Sequence, residues 1–484
     1  MILPDFVSDP LFILLIGIIV VVTSIIRLRL HAFLALLLAA YVVAILTPVS
    51  AIEQFALGTG MSSAQASELA GRSIGERIAM AFANTTAQIG ILIAMAAVIG
   101  KCLLESGGAE RIVRSILKLT GEAKAPIAFA GSSFFLSIPV FFDTTFYLMV
   151  PLAKAMAARL KKNFLLFILA IAAGGVVAHA LVPPTPGPLF LVAIMQIPIH
   201  MMLTGGLLVG IVTATTGYLY AVWINNKSPI PLRGSPDTPI KDLENLIEKD
   251  ITQLPALWLS VMPIIVPLVF ISANGIMEAF LDETSRSTFI NYLTSFISFI
   301  GDKNTALVAG GLIALFLLAK QKFGDWEQLS KSMQEALMSG GVIILITAAG
   351  GAFGGILQQT GISFRISELT EGHQMALIPL AFMITAVIRT AQGSGAVSMI
   401  TAAGILAGMA NYATLEYHVL YLGLAIACGS KPIPWMNDSG FWIVGKMSNF
   451  TEKETLKSFS VMLTIMGITG LLIVFLAARL FPLV

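Results

Sequence analysis

Twelve apolar stretches run through this chain, at about 11–27, 30–48, 83–104, 126–151, 164–200, 203–225, 256–273, 305–319, 336–358, 376–410, 417–446 and 458–481. A helix crossing the hydrocarbon core of a bilayer needs roughly 20 mostly apolar residues. The stretches therefore dictate an all-α polytopic membrane protein. Composition agrees: only 12% of the 484 residues are charged, 57% are hydrophobic, and mean hydropathy is +0.88. Soluble domains carry about 25% charged residues, so a water-facing globular protein is excluded. A net charge of +2 gives no footprint for a nucleic-acid partner. Cys102 and Cys428 lie in apolar runs and suggest neither a disulfide framework nor a zinc site, and the five histidines lack metal-ligand spacing. No metal or organic cofactor is expected. Near the amino terminus, Asp5 and Asp9 stand where a secretory signal would be basic, so the first stretch reads as a retained span.

Charges in short loops orient the spans, because Lys and Arg accumulate on the cytoplasmic side. Arg27 and Arg29 place the first turn in the cytoplasm, and Arg111, Arg114, Lys118 and Lys124 place the end of the third span there too. The stretch 126–151 is followed by Lys154, Arg159, Lys161 and Lys162, so a simple crossing would leave a basic cluster outside. A re-entrant hairpin keeps both basic loops inside, with its tip near Ser137-Ile-Pro-Val-Phe-Phe-Asp143. Residues 164–200 contain Pro183-Pro-Thr-Pro-Gly-Pro188. Proline lacks an N–H and clashes with the preceding turn, so this stretch reads as one crossing made of two half-helices. Residues 226–255 are the most polar of the chain and read as a cytoplasmic linker, with a capped surface helix expected over 241–248. The linker joins an N-terminal half, 1–225, to a C-terminal half, 256–484.

The two halves resemble each other. Leu169-Ala-Ile-Ala-Ala-Gly174 returns as Leu424-Ala-Ile-Ala-Cys-Gly429, and Glu105-Ser-Gly-Gly108 returns as Gln358-Gln-Thr-Gly361, with Arg111 answered by Arg365. The second half has its own hairpin, 376–410, interrupted at Arg389-Thr-Ala-Gln-Gly-Ser-Gly395. Its broken span, 417–446, is interrupted at Pro432-Ile-Pro-Trp-Met-Asn-Asp-Ser-Gly440. Counted span by span, the corresponding full helices run in opposite directions, which makes an inverted-topology repeat. Paired broken helices in such repeats point to a secondary-transporter site near the bilayer midplane.

Four segments carry a family resemblance: Pro139-Val-Phe-Phe-Asp143, Pro183-Pro-Thr-Pro-Gly-Pro188, Arg389-Thr-Ala-Gln-Gly-Ser394 and Asn437-Asp-Ser-Gly-Phe-Trp442. In this order they resemble the gluconate permease (gluconate:proton symporter) family of the wider ion-transporter superfamily, over nearly the whole chain. The resemblance implies a proton-coupled importer of sugar acids or related small hydroxy acids in a bacterial inner membrane. It implies a scaffold plus a transport domain that moves as an elevator, usually in a homodimer. The family also holds transporters of other small acids, D-serine among them, and Asp143-Thr-Thr departs from its commonest pattern, which leaves the substrate open. Residues 256–320 and the terminal spans, poor in polar groups, read as scaffold and dimer face.

Within these breaks, Asp143 is an acid among Phe141, Phe142 and Phe146. At membrane depth an ionisable group is expensive and usually functional; it serves as a proton or substrate site, or caps the second hairpin helix. Asp438, between Asn437 and Ser439, has the same two readings, and its neighbours offer hydrogen bonds to polyol hydroxyls. Arg389 supplies a guanidinium for a substrate carboxylate, or pairs with an internal acid. Gln392 and Ser394 follow it around a glycine. Thr185 sits where the first proline break exposes backbone groups. His179 is a proton-relay candidate or a hydrogen-bonded core histidine. Lys431, before Pro432, is a further cation able to hold a carboxylate. Asn84, Thr85, Thr86 and Ser339 read as openings of the third span and its counterpart. Lys101 and Glu105 form an i,i+4 pair. The glycines 350, 351, 354 and 355 lie within a span and read as helix packing, not as a phosphate loop.

The expected activity is secondary active transport of a small anionic substrate, with a proton as coupling ion and Na+ as the alternative. Substrate-binding candidates are Arg389, Gln392, Ser394, Asn437, Asp438, Ser439, Thr185 and Asp143; proton-coupling candidates are Asp143, Asp438 and His179. An intramembrane enzyme would need a nucleophile with a base, or a metal site, and no such motif occurs. No nucleotide-binding loop supports a primary pump.

Overall fold

In a computed structural model, the described residues are 9–233, 253–280, 288–322, 325–369, 374–412 and 415–483. They form helices joined by short turns, with no β-strand among the described residues. The surface helix expected over 241–248 lies outside them.

Helices α1 (Pro10–Ile26) and α2 (Ala32–Leu46) pack together, and α3 (Val49–Gly58) leaves α2 at a 102° bend where Pro48 interrupts the run. After α4 (Ser63–Gly71) comes α5 (Ile74–Glu105), then the short α6 (Gly108–Thr120). The stretch 126–151 resolves into α7 (Ala125–Leu136) and α8 (Phe142–Leu160), and 164–200 into α9 (Phe164–Leu181) and α10 (Pro186–Ile194). Helix α11 (Ile199–Lys227) precedes the linker. Beyond it lie α12 (Leu257–Phe280), α13 (Thr288–Gly301), α14 (Lys303–Gln321), α15 (Trp326–Gln358) and α16 (Ile362–Leu369). The stretch 376–410 becomes α17 (Leu377–Gln392) and α18 (Gly395–Tyr412), and 417–446 becomes α19 (Val419–Gly429) and α20 (Ser439–Met447). A last helix, α21 (Glu452–Leu480), contains a π-helical turn at Leu456–Ser460.

Eight described helices are long and apolar enough to cross a membrane, and the bent pair α2–α3 makes a ninth. Of the twelve apolar stretches, the first is corrected: helix α1, 17 residues long, falls short of the length. The interrupted stretches 126–151 and 417–446 supply pairs of shorter helices on either side of their interruptions. Apolarity also misplaces helix starts. The long helices α5, α15 and α21 begin at Ile74, Trp326 and Glu452, in polar turns held by side-chain caps at Ser73, Asp325 and Thr451. Thr85, Thr86 and Ser339 therefore lie inside helices and open none. The Thr85 and Thr86 hydroxyls donate to the carbonyls of Ala81 and Phe82, one turn back.

Helices α5 and α15, 32 and 33 residues long, pack along each other, and α18 packs on α15. At Gly354 and Gly404 a Cβ built on either would lie under 3.0 Å from the other residue's Cα. The α15 glycines thus permit close helix approach. On the other side, α9 is the most enclosed span, with 89% of its apolar window buried among α7, α8, α11 and neighbours. It fixes the position of the break that follows it.

Candidate functional site

Four helices begin at the wall of one cavity of about 420 Å³: Phe142 starts α8, Pro186 starts α10, Gly395 starts α18 and Ser439 starts α20, and all four line it. Each start has a sequence cause. Pro139 lies in the turn before α8. Helix α9 stops at Leu181 before Pro183 and Pro184, whose rings cannot continue it, and Pro186 sits at the first position of α10, where a missing N–H costs nothing. Gly393, at φ +86°, ends α17 in a left-handed turn. Asp438 caps α20, its Oδ1 accepting from the Phe441 N–H at 2.6 Å. First-turn N–H groups lack helical partners and carry the positive end of the helix dipole. Their convergence favours a bound anion.

The two breaks of the second half are tied together. Arg389 on α17 pairs with Asp438 at 2.5 Å, and both side chains are buried. The Arg389 Nε–H donates to the Ser430 carbonyl at 2.9 Å, and Nη1 donates to the Gly393 carbonyl. From the same break, Trp435 Nε1–H and Asn437 Nδ2–H both donate to the Thr390 carbonyl, at 2.8 and 2.9 Å. These contacts occupy carbonyls at the end of α17 that the helix leaves unpaired.

Among the described residues, the Asp143 carboxylate in the first turn of α8 accepts no hydrogen bond and forms no ion pair, so it does not cap α8. It lies on the cavity wall, close enough to Asp438 for their charges to interact. His179 also faces the cavity, its ring edge-on to Phe141 with centroids 5.9 Å apart. Its buried Nδ1 has no hydrogen-bond partner among the described residues, which corrects the hydrogen-bonded core histidine. Lys431, only 1% exposed, lines the cavity between α19 and α20, and its Nζ donates to the Ala427 carbonyl at 3.0 Å.

The profile described as "GntP family permease" matches residues 9–480. This chain belongs to the GntP permease family. It is 30% identical over 477 residues to an uncharacterized permease of Haemophilus influenzae, covering 96% of this chain and 91% of that one. It is 28% identical to a gluconate permease of Pseudomonas aeruginosa (96% and 95% covered). It is 27% identical to the low-affinity gluconate transporter of Escherichia coli (93% and 94% covered). Among solved structures, the YdaH transporter of Alcanivorax borkumensis, described as having an unusual topology, matches with a TM-score of 0.58 at 12% identity. That match covers 83% of this chain and 88% of the other. The family and the apolar spans make this chain a multi-pass membrane permease, in agreement with the carrier class read from the sequence.

In this GntP permease, six of the sequence-derived candidates share the cavity: Asp143, His179, Arg389, Ser394, Asp438 and Ser439. Three do not line it. Thr185 is buried and donates to the Val182 carbonyl. Asn437 faces away to cap α17. Gln392 is buried, with neither amide atom paired among the described residues. Two lining residues came from elsewhere in the sequence reading: Lys431, weighed only as an accessory cation, and Ser339, taken for a helix opening.

Proposed function

We propose that this protein is a secondary active transporter that imports gluconate, or a related small hydroxy acid, with protons across the cytoplasmic membrane. The observation that carries the reading is the convergence of four helix N-termini on one cavity that also holds Asp143, Arg389, Lys431 and Asp438. Helix ends and cations suit a carboxylate, and Ser339, Ser394 and Ser439 on the wall suit hydroxyls. Relatives named for gluconate point to the same ligand class. Asp143, an acid at the same wall without a partner among the described residues, suits a proton that travels with the anion.

In this reading the chain consists of halves 1–225 and 256–484 joined by the 226–255 linker. Helices α5–α11 and α15–α21 form an inverted-topology repeat. The pairs α7–α8 and α17–α18 are re-entrant hairpins; α9–α10 and α19–α20 are broken spans. These elements make a transport domain that moves as an elevator against a scaffold, in a homodimer, with no cofactor beyond the coupling proton.

Proteoliposomes take up radiolabelled gluconate under an inward proton gradient at fixed sodium. Saturable accumulation that collapses with the gradient is the expected result. Accumulation that follows a sodium gradient at clamped pH would replace the proton with Na+. Uptake of D-serine but not gluconate would move the substrate class.

A further inference from the structure

We infer that Lys431, rather than Arg389, is the residue that grips the substrate's carboxylate; this rests on the transport reading above. Arg389 was the natural candidate by type, but its charge is already answered. Its guanidinium holds Asp438, and two other edges go to the Ser430 and Gly393 carbonyls. Lys431 is different. Its side chain is 1% exposed, it lies on the cavity wall, and among the described residues its one hydrogen bond goes to a neutral carbonyl, that of Ala427. Among the described residues no carboxylate lies within ion-pair distance of it. Of the two acids on the wall, Asp438 is spent on Arg389 and on the Phe441 N–H. Asp143 belongs to the opposite break.

A buried ammonium with no counter-charge is costly. It persists where something else completes it. The ammonium has three donors and spends one on Ala427. The cavity it lines is also where α18 and α20 begin. The start of α20 already has its acid, since the Phe441 N–H donates to Asp438, whereas the Val397 N–H at the start of α18 donates to the neutral Ser394 hydroxyl. A carboxylate seated between the Lys431 ammonium and the start of α18 would neutralise the lysine and meet the positive end of that helix. The polyol tail would then lie toward Ser339 and Asp143. The competing role for Lys431 is structural: an ammonium on the Ala427 carbonyl supports the C-terminal end of α19.

The two roles predict opposite stabilities. Purified full-length protein and its Lys431→Met variant are compared in detergent by equilibrium binding of radiolabelled gluconate and by thermal unfolding. As a ligand completing the site, gluconate raises the wild-type Tm. Lys431→Met is expected to bind gluconate at least about 100-fold more weakly. Its ligand-free Tm should equal or exceed that of wild type, and gluconate should no longer raise it. Glucitol, which has the hydroxyls without the carboxylate, should compete equally poorly against both. Lys431→Arg keeps a cation and should retain measurable binding. If Lys431→Met binds gluconate as wild type does, the assignment is wrong while the transport reading stands. A ligand-free Tm several degrees lower, or failure to fold, would make Lys431 a support of α19 and overturn the assignment. If wild type itself binds neither gluconate nor other sugar acids, the transport reading fails and takes the assignment with it.

Discussion

Arg389 on α17 and Asp438 at the start of α20 meet at 2.5 Å, with side-chain exposures of only 6% and 8%. The pair bolts the second hairpin to the second broken span. Asp438 is at once a helix cap and a counter-ion, so neither residue is free. Removing one partner strands a buried charge, which costs about 3–5 kcal/mol, whereas replacing both with apolar residues of similar volume is often neutral. Arg389→Met and Asp438→Leu are each expected to lower thermal stability sharply, and the double variant less than their sum. All three should lose uptake, since the site's frame is gone. A double-mutant cycle on unfolding in detergent measures the coupling.

Asp143 stands in contrast. It lies on the same wall without a hydrogen bond or ion pair among the described residues. Asp143→Asn therefore breaks no contact and is expected to leave stability within about 0.5 kcal/mol of wild type. If the carboxylate carries the coupling proton, the variant loses gradient-driven accumulation of gluconate but keeps exchange of labelled for unlabelled gluconate across the membrane. Unchanged accumulation would move the proton elsewhere.

How far the sequence reaches can be seen from these residues. The four breaks are legible because prolines, glycines and lone charges cannot sit inside an apolar helix without a cause. So the cavity's corners, at Asp143, Arg389, Ser394 and Asp438, follow from local chemistry. Which way a side chain in a break points does not. Asn437 and Asp438 are adjacent, yet Asn437 turns back to cap α17 while Asp438 turns inward to Arg389. That choice is made by the packing of α17 against the break. Lys431 and Arg389 are both lone cations in apolar surroundings, and only the tertiary structure decides which one is paired. Helix α6 was missed for a different reason. It buries Ala109, Ile112 and Val113 on one face, but Glu110, Arg111, Arg114 and Lys118 interrupt its apolar residues over 13 positions, so a search for membrane-length apolar runs passes over it.

Glu105, at the end of α5, joins three elements. It pairs with Lys101 at 2.9 Å, with Lys322 just past α14, and accepts from the Ser332 hydroxyl at 2.6 Å on α15. Lys101 has a second partner, Glu335, at 2.7 Å. The Glu105 pairs are about a quarter exposed, so each is worth well under the buried value, on the order of 1 kcal/mol, whereas Glu335 is half exposed. Glu105→Gln is expected to cost more than Glu335→Gln, because it alone leaves Lys322 without its acid. The cluster lies off the cavity, so gluconate uptake per folded molecule should be unchanged. Thermal unfolding at low and high salt measures the difference, which should shrink as salt screens it.

Gly393 tests whether the tip of the second hairpin must touch the second broken span. Its φ of +86° is unfavourable for any residue with a Cβ, and a Cβ there would stand 2.1 Å from the Asn437 carbonyl oxygen. Gly60, just past the end of α3, provides an internal comparison: its φ is +85°, but nothing lies within 4 Å of the Cβ position. Gly60→Ala therefore incurs backbone strain alone, about 1 kcal/mol. Gly393→Ala incurs similar strain and must also push the 437–438 turn away from α17. That movement separates Asp438 from Arg389 and withdraws the start of α20 from the cavity. The expected outcome is a Tm loss clearly larger than that of Gly60→Ala, together with weakened gluconate binding that Gly60→Ala does not show. Equal losses in the two variants would mean the hairpin tip and the break can part without consequence for the site.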